Sequence, residues 1–488
     1  MNAIKRFNIA WLIPLIFLAG QFIICLKSEA LDVRYIFLTA VLIVVSVNLI
    51  RRLGTFSVAN LPLWIMLAVL FITYFIQFYW MVFDPQITTN SWFPNLHWLA
   101  YSPEVRFNSF LTATLGFATF GITAYIIAAK PIKSPKTGPN TNVNFPFTVS
   151  ILIWLIVPLM AATSYIMYIT GIGRMGAETV TLPFRLGGWI FHTRNSLILG
   201  LILLLIWCSD NRRLKKHFIL GIILLLIHGI TSSLLTSSRG AILYLFLNLL
   251  FLLILTGKLN KQRLSFAAIV IAIAIMLWPV ISAYRYTRMP DHKVPITTSL
   301  GEAIESLYAG PSTYSEELTN GLQAILFRTG MISLFPIMGS DFEPLGTGIF
   351  DTTVTKFYTN DVLGFSPEHI SSSAPSLFGW FYLLGGNICV IIGIAMLTVA
   401  VWSFWPMLAR LKLLSLPVSQ ALFLGFFLNF LKEGSLDQFW LEPTVLAGSI
   451  AACEFILRFS RNKSEYKKLK VRKNEHSLFN QQRSLAAD

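Results

Sequence analysis

Several stretches of this chain hold arginines whose setting asks for a partner. In TSSRG, residues 236–240, Ser237 or Ser238 can cap a helix starting at Ala241, leaving Arg239 and free backbone N–H groups pointing the same way. A helix start carrying an arginine is an anion site; a plain turn with a snorkelling side chain is the other reading. In the run Tyr284, Arg285, Tyr286, Thr287, Arg288, two guanidinium groups three residues apart can grip a phosphate or carboxylate while the rings pack on a sugar. The same run also suits an interfacial Tyr/Arg anchor. Arg328 is the one charge in LFRTGMISLFPIM, and its partner is either a carboxylate such as Glu316, Glu317 or Asp341 or a negatively charged ligand. Arg174, Arg185 and Arg194, with His192, give 171–194 a basic cast that reads first as structural; Arg194 is kept as a further anion-binding candidate.

An enzyme built on these arginines also needs a base. His369, in SPEHISSSAPS, is the best placed, with Glu368 beside it as the alternative. His97, His192 and His292 fall on the same side of the chain's plan, whereas His228 falls within an apolar run and reads as a packed core residue. HExxH, GxSxG, P-loop and dinucleotide motifs are absent, and the four cysteines sit in apolar runs without metal or disulfide spacing. No metal or other cofactor is expected.

The elements that must hold these residues are set by composition. Of 488 residues, 55% are hydrophobic and 12% charged, against about 25% charged in a soluble domain. A water-soluble globule is excluded and the bilayer becomes the solvent. Apolar runs predict twelve spans near 8–26, 35–50, 62–83, 107–129, 146–170, 195–208, 218–235, 241–256, 266–283, 376–401, 416–431 and 443–457. Several are shorter than the roughly 20 residues a crossing needs, so they borrow flanking residues or are shielded by neighbours.

With the N-terminus cytoplasmic, 25 of the 38 basic residues fall inside and about 18 of the 23 acids outside. The net charge of +15 therefore reports orientation and not nucleic-acid binding. This divides the chain into a bundle over 1–283 (spans 1–9), an outward cap over 284–375, spans 10–12 over 376–457, and a basic cytoplasmic tail over 458–488. The cap is rich in aromatic and aliphatic residues, so it is expected to fold on the membrane surface through short helices.

Twelve spans, TSSRG opening a helix, YRYTR after a later span, an isolated FRTG arginine in a large outward loop, and SSSAPSLFGWFYLLGG leading into a span together resemble the Wzy-type oligosaccharide repeat-unit polymerases. The resemblance implies an all-α polytopic, GT-C-like glycosyltransferase of the bacterial inner membrane, with both termini cytoplasmic. Such an enzyme moves a glycan from undecaprenyl pyrophosphate onto a lipid-linked repeat unit on the periplasmic side, making O-antigen, capsular polysaccharide or exopolysaccharide. A chain-length regulator and a flippase are the partners it admits, besides membrane lipid. By resemblance the anion-binding residues are Arg239, Arg285, Arg288 and Arg328. The related O-antigen ligases use an outward histidine, to which His369 is nearest, but their two-histidine pattern is missing. A lipid-linked-oligosaccharide carrier is the alternative from another class; it would show charge at mid-membrane depth and interrupted helices, neither prominent in the sequence.

Overall fold

The computed structural model describes residues 9–27, 32–54, 58–84, 101–128, 145–173, 182–211, 214–236, 238, 240–257, 272–273, 275–284, 296–308, 314, 316, 318, 330–340, 343–346, 348, 352–365, 374–434 and 441–461. All regular structure among them is helical. The helices are α1 (Ile9–Lys27), α2 (Val33–Leu53), α3 (Val58–Phe83), α4 (Pro103–Ile127), α5 (Phe145–Thr170), α6 (Leu186–Asp210), α7 (Lys215–Thr236) and α8 (Gly240–Leu255). They continue as α9 (Ile275–Tyr284), α10 (Ile296–Tyr308), α11 (Met331–Gly339), α12 (Val354–Phe357, extended by a π-turn), α13 (Leu377–Arg410), α14 (Leu416–Glu433) and α15 (Leu441–Arg461).

Eight of these, α2 to α7 with α13 and α15, are long and apolar enough to cross a membrane. α1, α8, α9 and α14 are apolar but shorter. The expected spans overlap these helices, that at 266–283 only from residue 272 on, since its first part lies outside the described residues; eight are established as long enough to cross. Between α9 and α13 the described residues include the short helices α10, α11 and α12.

Local sequence sets the ends. Ser102 caps α4, accepting from Val105 N–H at 3.3 Å, with Pro103 at the first helical position and Glu104 in the first turn. One packing group joins α1 to α4 with α11 and α13; another joins α5 to α8 with α14, and α14 also touches α3 and α13. Phe17, Phe71, Phe75 and Phe117 interlock edge to face at 5.1 to 6.1 Å in the first group. Each such pair adds about 0.5–1.5 kcal/mol to its area burial. Glu454 of α15 accepts from Arg458 Nε at 2.7 Å and caps the start of α14 by accepting from Ser415 N–H at 3.0 Å.

α11 and the first turn of α13 are fastened to the middle of α3, where a π-turn runs over Phe71–Ile76. Phe378 N–H donates to the Tyr74 hydroxyl at 2.8 Å, with the two rings stacked at 4.0 Å, and Ile332 N–H donates to Gln77 Oε1 at 3.0 Å. Gly330 has φ +110°, and a Cβ there would overlap the Thr73 carbonyl, so only glycine lets the chain into α11 so close to α3. Tyr101 stacks on Phe335 of α11 at 5.4 Å, and burial pushes its hydroxyl up to about 12. Tyr74→Phe strips the buried Phe378 N–H of its acceptor. A loss of about 1–3 kcal/mol is expected, visible as a lower Tm in detergent; an unchanged Tm would show that the contact holds nothing.

Two features depart from the sequence reading. α13 is not one helix: at Gly385 (φ −173°, ψ 39°) and Gly386 (φ 65°, ψ −157°) it breaks into 377–384 and 387–410. The carbonyl of Leu383, freed near the break, accepts from Leu345 N–H at 2.7 Å, and Asn387 Oδ1 beyond it accepts from the Thr112 hydroxyl at 2.8 Å. The other departure is α6, which starts at Leu186, so that Arg194 lies inside a membrane-length helix and not in a loop.

Candidate functional site

Arg194 sits in a second π-turn, over Thr193–Ile198, and its side chain is fully buried. Nε donates to Ser232 Oγ at 3.1 Å and Nη2 to Thr231 Oγ1 at 2.7 Å, both on α7. Nη1 donates to Ser164 Oγ at 2.6 Å, Thr163 Oγ1 at 3.2 Å and the Met160 carbonyl at 3.4 Å, all on α5. The hydroxyls are oriented for this. Thr163, Ser164 and Thr231 give their own protons to helix carbonyls at Leu159, Met160 and Ile227, at 2.6 to 2.7 Å, which turns their lone pairs toward the guanidinium. Among the described residues no carboxylate pairs with Arg194, so its charge is solvated by dipoles alone.

Two residues nearer the start of α6, His192 Nδ1 lies 3.4 Å from Glu442 Oε1. Glu442 is the second residue of α15, and the neighbouring Leu441 covers Gly188 of α6. Glu442 is also within electrostatic reach of Tyr244, about one turn into α8. The start of α15 thus meets the starts of α6 and α8. This rim continues through Leu235 of α7, clustered with Ile190 of α6, and Leu234, packed beside Tyr284.

Of the sequence candidates, Arg239, Arg285, Tyr286, Arg288, Arg328, Glu368 and His369 lie outside the described residues, as do Arg174 and the side chain of Arg185. Their described chain neighbours are informative. Gly240 opens α8, Tyr284 closes α9, Gly330 precedes α11, and 374–376 lead into α13. Tyr284 is fully buried in a small cluster with Ala283, Ala303 and Leu307, which joins α9 to α10. His228 is fully buried on α7, and Arg194 acts on it electrostatically. The rim pair missed by sequence reasoning is Glu442 with His192. Its one signal was an acid followed by Pro443 at the start of the last apolar run, which marks a helix start and nothing more.

The two properties that the sequence lacked for a carrier, a charge inside the bundle and an interrupted helix, are therefore both present, in Arg194 and at Gly385 and Gly386. Among the described residues the fold is that of a multi-pass, all-helical membrane protein. What class of work it does is given by a family match, to O-antigen polysaccharide polymerase Wzy, over residues 10–313. More than half the chain is covered, and the chain belongs to this family of polysaccharide polymerases, which act on lipid-linked oligosaccharide repeat units in membranes. No curated protein and no solved structure matches it.

Proposed function

We propose that this protein joins repeat units carried on undecaprenyl pyrophosphate, on the periplasmic side of a bacterial inner membrane. The growing chain passes from its carrier to the non-reducing end of a newly arrived unit. Family membership is the observation that carries the reading, and the charge bias of the loops supports the orientation.

The chemistry asked of the protein is modest, because the donor sugar is already activated as a pyrophosphate ester. Arg239, Arg285, Arg288 and Arg328 stabilise the departing diphosphate through charge and bidentate hydrogen bonds. Tyr284 and Tyr286 flank them, Arg194 adds positive potential from within the bundle, and His369 and Glu368 are the sequence's two candidates for the base. The buried Arg194 and the broken α13 also suit a carrier, but a carrier leaves each repeat unit unextended.

Reconstitution distinguishes the two. Purified protein in liposomes, given polyprenyl-diphosphate-linked repeat units, is expected to yield a ladder of longer lipid-linked glycans. Movement of single units across the bilayer with no ladder would establish the carrier instead.

A further inference from the structure

We propose that the protein holds an anionic phospholipid in a groove whose floor is α4 and whose walls are α2 and α13, with the headgroup at the end of the bundle away from the rim. The site is independent of the polymerase reading above.

The groove follows from how α4 is packed. It lies against α2 on one side and α13 on the other. Gly121 meets Val45 of α2 so closely that a Cβ would overlap the valine. Thr112 donates to Asn387 of α13 at 2.8 Å, and Gly116 lies against the Phe378 ring of the same helix. Thr112 and Gly121 are nine residues apart, or about two and a half turns, so the two neighbours flank α4 from opposite sides. Ile122, Tyr125 and Ile126 project between those sides and are exposed. They form an apolar strip that runs to the end of α4 at Ile127.

Cations stand where the strip ends. Arg51 and Arg52 lie in the last turn of α2, Arg410 in the last turn of α13 and Lys412 two residues further on. All four are exposed, and among the described residues none of them pairs with a carboxylate. The Arg52 guanidinium lies over the Tyr125 ring, 5.7 Å from its centre, which holds it above the floor of the groove.

The ends of both walls are fastened to the start of α3. Asn60 Nδ2 donates to the Leu53 carbonyl of α2 at 3.3 Å, and Trp405 Nε1 of α13 donates to the Val58 carbonyl at 3.0 Å. The two pairs of cations are thereby kept at one end of the bundle. That end is the far one, because Ser415, just past α13, bonds Glu454 well along α15 from its start at the rim.

Helix C-terminal carbonyls favour a basic residue at each of these ends, but they do not explain four cations without an acid beside an exposed apolar strip. A phosphodiester carrying acyl chains matches both parts. Its phosphate meets the guanidinium groups, and its chains cover Ile122 and Ile126. Free phosphate would leave the strip bare.

The test uses the full-length protein in neutral detergent, titrated with phosphatidylglycerol or with phosphatidylcholine of the same chain length and read by native mass spectrometry. Phosphatidylglycerol is expected to bind about 30-fold more tightly or better. Each cation removed beside the phosphate weakens binding about fivefold. Arg52→Gln combined with Arg410→Gln is therefore expected to lose roughly 25-fold, most of that preference. Lys215→Gln combined with Lys216→Gln, which removes two exposed cations at the start of α7, is expected to stay within about twofold. Ile122→Trp fills the groove from an exposed position; it is expected to weaken phosphatidylglycerol about tenfold and to leave the Tm of the lipid-free protein unchanged. Equal affinity for the two lipids overturns the proposal. So does an equal loss in the α7 pair, which marks diffuse charge attraction, or wild-type binding by Ile122→Trp. Occupation by a polyprenyl diphosphate and not by phosphatidylglycerol, lost in the Arg52 and Arg410 variant, overturns it as well.

Discussion

Alanine at Arg239, Arg285, Arg288 or Arg328 is expected to collapse the glycan from a ladder to single repeat units in at least two of the four variants. A diphosphate leaving group carries around two negative charges, and its departure is assisted most by donors already aimed at the oxygens where charge develops. Removing one such donor typically raises the barrier by about 3–4 kcal/mol, or roughly 10²–10³ in rate. A polymerase slowed that far releases units before extending them. Lysine at the same positions keeps the charge and loses the planar fork, so partial ladders are expected where the arginine binds two oxygens. The readout is the glycan profile on a gel, with membrane insertion confirmed for each variant. Normal ladders in all four would remove these arginines from the site.

The second large effect is on the fold. Arg194→Ala removes a side chain that reaches two other helices at once, through Thr163, Ser164 and Met160 of α5 and Thr231 and Ser232 of α7. Thr163, Ser164 and Thr231 still donate to helix carbonyls, so the variant leaves no stranded protons there. The loss comes from hydrogen bonds to a charged group, about 1.5–3 kcal/mol each in water-soluble proteins and less in membranes. To that is added the cavity, since large-to-alanine replacements in packed interiors cost about 2–5 kcal/mol. A fall of several kcal/mol in stability follows, measured as a lower Tm in detergent or poor recovery from membranes. Arg194→Lys, with three donors on one nitrogen, cannot reach both helices as well and is expected to fall between. If Arg194→Ala melts like wild type and loses only activity, the guanidinium is a ligand-binding group and not a tie between helices.

The apolar runs made the bundle legible, because hydrocarbon-length stretches of Leu, Ile and Phe have few other uses. What hid the first turns of α6 was their own chemistry. His192, Thr193 and Arg194 read as the end of a loop before the span at 195–208, yet Arg194 faces hydroxyls on neighbouring helices that substitute for water. Solvation by other parts of the chain has no local signature. The break in α13 was concealed for the opposite reason, since LLGGN is flanked by apolar residues on both sides and two glycines hardly alter the average. For the site, residue type pointed to anion binding and to a base. It could not pair Glu442 with His192, because only the packing of α15 on α6 brings them together.

The joint at Gly385 and Gly386 separates two mechanical environments. Before it, Leu377, Phe378 and Leu383 are enclosed by protein; after it, Ile388 is 70% and Met396 67% exposed, in contact with acyl chains once in a bilayer. The distal arm, about 36 Å long at 1.5 Å per residue, keeps its other face packed, with Val390 and Ile394 fully buried and Trp405 Nε1 donating to the Val58 carbonyl at 3.0 Å, while the proximal arm is docked on Tyr74 and Leu345. The bend at the two glycines thus lets each arm meet its own partners, protein for the one and protein on one side with lipid on the other for the second.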